Sequence, residues 1–220
     1  MIRPAPRPHA GRSLCHSLLF PFAKAADAYA APAASALSAP RGKLPLDERA
    51  DGWYTEENNR QGAYTDMIKI LFICHGNICR SPMCQSIFTH MVKEQNLTNH
   101  FKIDSAATSR EEIGNPPHYG TAGKLRQVGI PLIPHRAEQM TKADYAAYDY
   151  LIGMDSMNIR NIMRIIGKDT QKKVYRLLDF SDSPRDIADP WYTGNFDRTY
   201  EDSVEGCRAL LEKIKQEYDL

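Results

Sequence analysis

Residues 68–73 form an apolar run interrupted only by Lys69, and the run stops at Cys74-His75-Gly76-Asn77. A short, nearly continuous apolar stretch is what a strand buried on both faces of a parallel sheet requires. Pro82 then opens a helix in which Met83, Cys84, Ile87, Phe88, Met91 and Val92 recur on one face, and Ser81 stands where an N-cap belongs. Buried strand, tight loop and helix start thus follow one another directly, which confines the chain to folds built on strand-loop-helix units.

The same alternation continues to the C-terminus. A second strand is expected over residues 101–106, and a helix after Pro116-Pro117 that ends near Gly129. A third strand falls at 150–153, followed by a helix carrying Ile159, Ile162, Met163 and Ile166 on one stripe and stopped by Gly167. Residues 174–178 supply a fourth strand. After a loop rich in Asp, Pro and Gly, the closing helix carries Tyr200, Val204, Cys207, Leu211, Ile214 and Tyr218. This order predicts an α/β fold, a three-layer α/β/α arrangement around a four-stranded parallel sheet with right-handed crossovers. Ligands in such sheets bind beyond the carboxyl ends of the strands, so the loop between the first strand and first helix is the expected site.

Composition separates a leading segment from this core. Residues 1–66 hold seven of the fourteen prolines and fourteen alanines, whereas the long aliphatic periodicity lies in 67–220. The leading segment opens with Arg3, Arg7 and Arg12, an apolar stretch interrupted by Pro21, and Ala-rich sequence. Two kinds of reading stay open: a secretory or organelle-targeting segment, or an N-terminal extension that is disordered or annexed by a wrongly chosen start codon. Residues 67–220 are expected to form the working domain, in the cytoplasm unless residues 1–30 act as a targeting signal.

Charge and cysteine content narrow the function. Lys and Arg number 28 against 27 Asp and Glu, which gives no global reason to bind nucleic acid. No apolar run is long enough to span a bilayer, and no membrane partner is expected. Oligomeric state leaves no mark in the sequence. Of the five cysteines, Cys74, Cys79 and Cys84 cluster while Cys15 and Cys207 stand apart, which points to chemistry at one place and not to a disulfide framework. The spacing of the cluster does not match zinc sites, so no metal or cofactor is expected.

A strand, a tight loop and a helix N-terminus make an anion cradle, because loop amides and the unpaired first N–H groups of the helix converge. Gly76 and Asn77 tolerate the positive φ such a loop demands, and Arg80 can clamp two phosphate oxygens at once. A cysteine at the base of that cradle has its thiolate stabilised by the same dipoles. Cys74 therefore reads as a nucleophile aimed at phosphorus. A lone cysteine at a strand end is otherwise a packing residue.

The run Cys74-His75-Gly76-Asn77-Ile78-Cys79-Arg80-Ser81-Pro82 resembles the signature of the low-molecular-weight protein tyrosine phosphatases. The likeness extends collinearly through Asp104-Ser105-Ala106-Ala107-Thr108, His135-Arg136-Ala137-Glu138-Gln139, Met154-Asp155 and Asp189-Pro190-Trp191-Tyr192. It implies that Cys74 attacks the phosphoryl group and forms a phosphocysteine, that Arg80 binds the phosphate, and that Asp189 is the general acid and then the base. Without the cysteine loop, Asp189-Pro190 would read as a turn. Asn77, Ser105 and His135 are implied to brace the phosphate-binding loop, with Ser81 assisting the thiolate.

Three further features follow from that resemblance. Cys79 matches a second cysteine that can close a reversible disulfide with Cys74, a redox-regulatory role; as a plain residue it is an equally good small filler of the loop. Trp191 and Tyr192 would flank the ring of a phosphotyrosine in a protein substrate, and Ile78 goes with phosphotyrosine where threonine goes with phosphoarginine. Glu111 and Glu112 stand where many members of the family place an aromatic residue, which bears on peptide preference. The rival readings are a thiol-dependent arsenate reductase of the same fold, which would need shuttling cysteines between Cys84 and Cys207, and a non-catalytic phosphate-binding module.

Overall fold

The computed structural model describes residues 67–220. The readings made for residues 1–66, Cys15 included, lie outside the described residues.

Strand β1 (Ile68–Cys74) is the second of four parallel strands, with β2 (Phe101–Ala107) on one side and β3 (Tyr150–Gly153) and β4 (Val174–Arg176) on the other. All of β1 but Lys69 is buried, as its apolar run requires. Alternate residues serve opposite faces. Ile70, Phe72 and Cys74 join one apolar cluster with residues of α1 (Arg80–Glu94) and the C-terminal helix; Leu71 and Ile73 join another that includes Leu151, Ile162 and Ile166. Helices thus cover both faces, as the three-layer prediction holds.

The remaining helices are α2 (Tyr119–Gln127), the one-turn α3 (Asp144–Ala147), α4 (Ser156–Ile166), the one-turn α5 (Pro190–Thr193) and α6 (Phe196–Tyr218). Gly167 ends α4 at φ +88°, a conformation glycine adopts without strain. Close packing of α6 depends on Gly206, where a Cβ would lie 2.6 Å from the Cγ of buried Leu177.

Three local expectations are corrected. The fourth strand stops at Arg176, because Leu177 and Leu178 turn into a short 3₁₀ helix (Leu177–Phe180) that buries both side chains. An apolar pair is equally compatible with strand and turn, so periodicity could not separate them. Helix α1 starts two residues earlier than Pro82, with Cys79 at the N-cap and Ser81 inside the first turn. The Ser81 hydroxyl is engaged elsewhere, as shown below. Of the two residues expected to take positive φ, only Asn77 does so, at +57°. Gly76 instead lies close to another loop, where a Cβ would come 3.0 Å from Glu112 Cγ.

Candidate active site

The loop from Cys74 to Arg80 leaves the carboxyl end of the central strand and enters α1, at the edge the sheet topology singles out. Its carbonyls are taken from outside: Thr108 N–H donates to Cys74 O (2.8 Å), Ser109 N–H to His75 O (3.0 Å) and His118 N–H to Ile78 O (2.8 Å). The negative ends of these peptide dipoles therefore face away from the loop's interior. Among the described residues, none accepts from the N–H groups of His75, Gly76, Ile78 or Cys79, while Asn77 N–H donates to Cys74 Sγ at 3.2 Å. A ring of unclaimed donors around a sulfur is a receptor for an anion.

The direction of hydrogen bonding behind the loop can be worked out from one backbone group. Glu138 N–H can only donate, and it lies 3.1 Å from Asn77 Oδ1, which fixes the amide orientation. Asn77 Nδ2 then donates to Ser81 Oγ (2.9 Å) and Ser105 Oγ (3.1 Å). With its oxygen so occupied, Ser81 can turn its own proton toward Cys74 Sγ, 3.0 Å away. Ser105 passes its proton to Gln85 Oε1 (2.8 Å), and Gln85 Nε2 donates to Ile103 O (3.1 Å). His135 Nε2 faces two acceptors, Asn77 Oδ1 at 2.8 Å and Asn77 O at 3.1 Å, so it carries the proton. Burial lowers the pKa of His135, against the opposing pull of its bond to Asn77, and favours this neutral, donating ring. Asn77, Ser81, Ser105 and His135 thus form one network under Cys74. Gln85 belongs to it too; a glutamine on a helix gives no sequence signal of that role.

Arg80 is the largest fully buried side chain among the described residues, at 2% exposure. Its Nη1 donates to Asp155 Oδ2 (2.5 Å) and Ile187 O (3.1 Å), and its Nη2 pairs with Asp189 Oδ2. Burial opposes the charge, but Cys74, Asp189 and Asp155 together outweigh it and raise the guanidinium above its usual range. Its Nε is buried with no described partner, one donor still to be satisfied. Asp155 also caps α4 through Asn158 N–H (2.6 Å), which holds its other oxygen against Arg80. In the sequence Asp155 figures only in the Met154-Asp155 match, and nothing there signals its contact to Arg80.

Asp189 does two things at once. Its Oδ1 caps the one-turn α5 by accepting from Trp191 N–H (3.1 Å), while Oδ2 points at Arg80. Asp189-Pro190 thus forms a helix-capping turn whose second carboxylate oxygen faces Arg80. A cavity of about 100 Å³ is lined by Cys74, Arg80, Ile78, Asp189, Trp191 and Tyr192, with His75, Gly76, Cys79, Glu111 and Glu112 completing its wall. Trp191 is 56% and Tyr192 82% exposed, open for contact with a ligand. Glu111 lies 3.0 Å from His75 Nε2, so an acidic loop meets the cysteine loop at the rim. Cys79 is buried and its thiol is pushed up to about 12 by burial and by Cys74, which keeps it protonated at neutral pH. Cys84 and Cys207 are wholly buried in the apolar core, away from this cavity, as their helical spacing implied.

Residues 69–220 match the family model described as low molecular weight phosphotyrosine protein phosphatase. The chain is 40% identical over 156 residues to the low molecular weight protein-tyrosine-phosphatase YfkJ of Bacillus subtilis, covering 70% of this chain and 100% of that protein. It is 42% identical over 149 residues to the human low molecular weight phosphotyrosine protein phosphatase, covering 66% of this chain and 94% of the human one. The crystal structure of B. subtilis YfkJ aligns with a TM-score of 0.67 at 41% identity, over 69% of this chain and 97% of that one. That of a low molecular weight protein tyrosine phosphatase from Streptococcus pyogenes aligns at 0.60 and 35% identity, over 67% and 93%.

Proposed function

The chain belongs to the low molecular weight phosphotyrosine protein phosphatase family, and from that membership we propose that residues 67–220 hydrolyse phosphotyrosine in proteins through a phosphocysteine on Cys74. The observation that carries the reading is the position of Cys74 Sγ. It lies within reach of Ser81 Oγ and Asn77 N–H, at the base of a cavity into which Arg80 and Asp189 both face.

In the first step the Cys74 thiolate forms a bond to phosphorus as the bond to the tyrosyl oxygen breaks. A phenol has a pKa near 10 and leaves poorly as its anion, so Asp189 delivers a proton to that oxygen. The unclaimed loop amides and Arg80 hold the equatorial oxygens, for which the free Arg80 Nε supplies one donor. In the second step Asp189 takes a proton from water as the water's oxygen attacks phosphorus, and the sulfur leaves as thiolate. Ser81 stabilises that thiolate in both its roles, as nucleophile and as leaving group. His135, Ser105 and Asn77 keep the loop in the conformation that makes this possible.

Trp191, Tyr192 and Ile78 supply the apolar wall for the substrate ring. Cys79 is placed by this reading as the residue that captures an oxidised Cys74, protecting it as a disulfide. An arsenate reductase would need shuttling cysteines, and the core positions of Cys84 and Cys207 leave neither accessible for that exchange. Turnover of a phosphotyrosine peptide by the full chain tests the proposal. Loss of activity in Cys74→Ser is expected, and unchanged turnover in that variant would refute it.

A further inference from the structure

Asp189 sits at the end of an irregular segment whose two preceding charged residues are anchored to opposite walls of the molecule. Arg185 reaches α6, where its Nη2 donates to Asp202 Oδ1 (2.7 Å) and Glu205 Oε2 (2.5 Å), and Asp202 is itself buried. Asp186 reaches the other way, to the first residue of α4 and the last of β4. Its Oδ1 accepts from Ser156 N–H (3.1 Å), Ser156 Oγ (2.9 Å) and Arg176 Nη1 (2.6 Å). Between these anchors and the acid lies Ile187, fully buried, whose N–H donates to Met154 O (2.9 Å) and whose carbonyl accepts from Arg80.

We propose that Arg185 and Asp186 are positioning residues that set the alignment of Asp189 with the leaving-group oxygen. The inference rests on the reading of Asp189 as general acid. Neither residue lines the cavity, so neither touches the reacting groups. They act by fixing the backbone one and two residues before Ile187, and three and four before Asp189, the two residues of the segment that contact Arg80. Each anchor carries the loop to separate elements, α6 on one hand and the start of α4 with the end of β4 on the other, so the segment is held from both sides like a stretched strap. A displacement of about 1 Å at a catalytic group can cost on the order of a hundredfold in rate. Such a displacement would impair proton delivery while leaving the cysteine loop, built on β1 and α1, in place.

The leaving group distinguishes this from a general loss of structure. Phenyl phosphate releases a poor leaving group that needs the acid, whereas 4-nitrophenyl phosphate releases one that leaves with far less help. In the full chain, the double variant Arg185→Ala, Asp186→Ala should lose about tenfold more kcat/KM on phenyl phosphate than on 4-nitrophenyl phosphate. The inhibition constant of inorganic phosphate should stay within about twofold. Asp189→Ala, run in parallel, should show the same selectivity to a greater extent. Equal losses on both substrates, no loss on either, or a parallel rise in the phosphate inhibition constant would overturn the inference. If Asp189→Ala itself shows no selectivity, the general-acid reading falls and takes the inference with it. Should the double variant not fold, Asp186→Asn removes one anchor's charge at nearly constant shape and is held to the same outcomes.

Discussion

His135 Nε2 lies 2.8 Å from Asn77 Oδ1, across 58 residues of sequence, and so fixes the amide of the one left-handed residue in the cysteine loop. Because Glu138 N–H fixes Oδ1 as an acceptor, Nδ2 is the donor to Ser81 Oγ, and the Ser81 proton is left for Cys74. Asn77→Asp keeps a residue that accepts positive φ but puts an acceptor where Ser81 needs a donor. The Ser81 proton then turns to the carboxylate and away from the sulfur. Turnover should fall by about tenfold or more, corresponding to the loss of one charge-assisted hydrogen bond of roughly 1.5–3 kcal/mol. Steady-state kinetics on 4-nitrophenyl phosphate, with a thermal melt to show that the fold is retained, checks this; full turnover in Asn77→Asp would break the chain of donors described here.

The lowered pKa of His135 makes stability depend on pH in a definite direction. Burial disfavours the charged ring in the folded state, so between the folded pKa and the unfolded value near 6.5 the unfolded chain binds more protons. The contribution of this group is fully present above about 6.5 and is lost as pH falls through its folded pKa. His135→Asn should flatten that part of the stability profile. Denaturant unfolding at a series of pH values from about 7.5 to 5 measures it, and an identical slope in variant and parent would count against the assignment.

Legibility in the sequence followed the length scale of each signal. β1, β3 and α4 could be read because period and punctuation agree: continuous apolar runs for the strands, an Ile stripe closed by Gly167 for the helix. One-turn helices such as α3 and α5 have no period to show. Ser81 was expected as a cap since its type fits one, but the demand of Cys74 for a proton donor fell on the same hydroxyl. Within the site, the cysteine loop was legible as a contiguous stretch. The Asp155 contact to Arg80 joins residues 75 apart in sequence, and the Gln85 link to Ser105 joins residues 20 apart, so only the assembled sheet reveals them.

Oxidation should separate Cys79 from Cys74. Hydrogen peroxide converts the Cys74 thiolate to a sulfenic acid, and attack by Cys79 sulfur on that sulfur forms a disulfide and releases water. The Cys79 thiol is pushed up to about 12, so it does not compete as the first nucleophile. Cys79→Ser should retain turnover within a few-fold of the parent. After peroxide treatment, dithiothreitol should restore the parent and recover much less of the variant, which lacks the protective bond. Equal recovery would reduce Cys79 to a small residue that fills the loop.

Glu111 and Glu112 place negative charge on the wall of the cavity. Peptides with acidic residues beside the phosphotyrosine should therefore be poorer substrates than peptides with basic ones. Glu111 is exposed and Glu112 half-buried at the rim, so each is worth on the order of 0.2–1 kcal/mol, about threefold in kcat/KM, and weakens with salt. Glu111→Gln with Glu112→Gln should reduce the difference between the two peptide classes and its salt dependence. A preference that survives the double change would have to come from Trp191 and Tyr192 instead.

Asp189 and an incoming phosphate compete for the same guanidinium. With Asp189 paired to Arg80 Nη2, a bound dianion must either displace that carboxylate or lie against it. Removing the negative charge relieves like-charge repulsion at close range in a partly buried site, about 4 kcal/mol for two unit charges about 4 Å apart at an effective dielectric near 20, offset in part by the pairing to Arg80 that is lost with it. Asp189→Asn should accordingly bind inorganic phosphate about tenfold more tightly, while turnover of a phenolic ester falls about 10²- to 10⁴-fold for want of a proton donor. The two effects have opposite signs, which a loss of fold cannot imitate. Phosphate inhibition constants and single-turnover rates on the same preparation measure both. If phosphate binding weakens along with turnover, Asp189 holds Arg80 in place for the anion and does not compete with it.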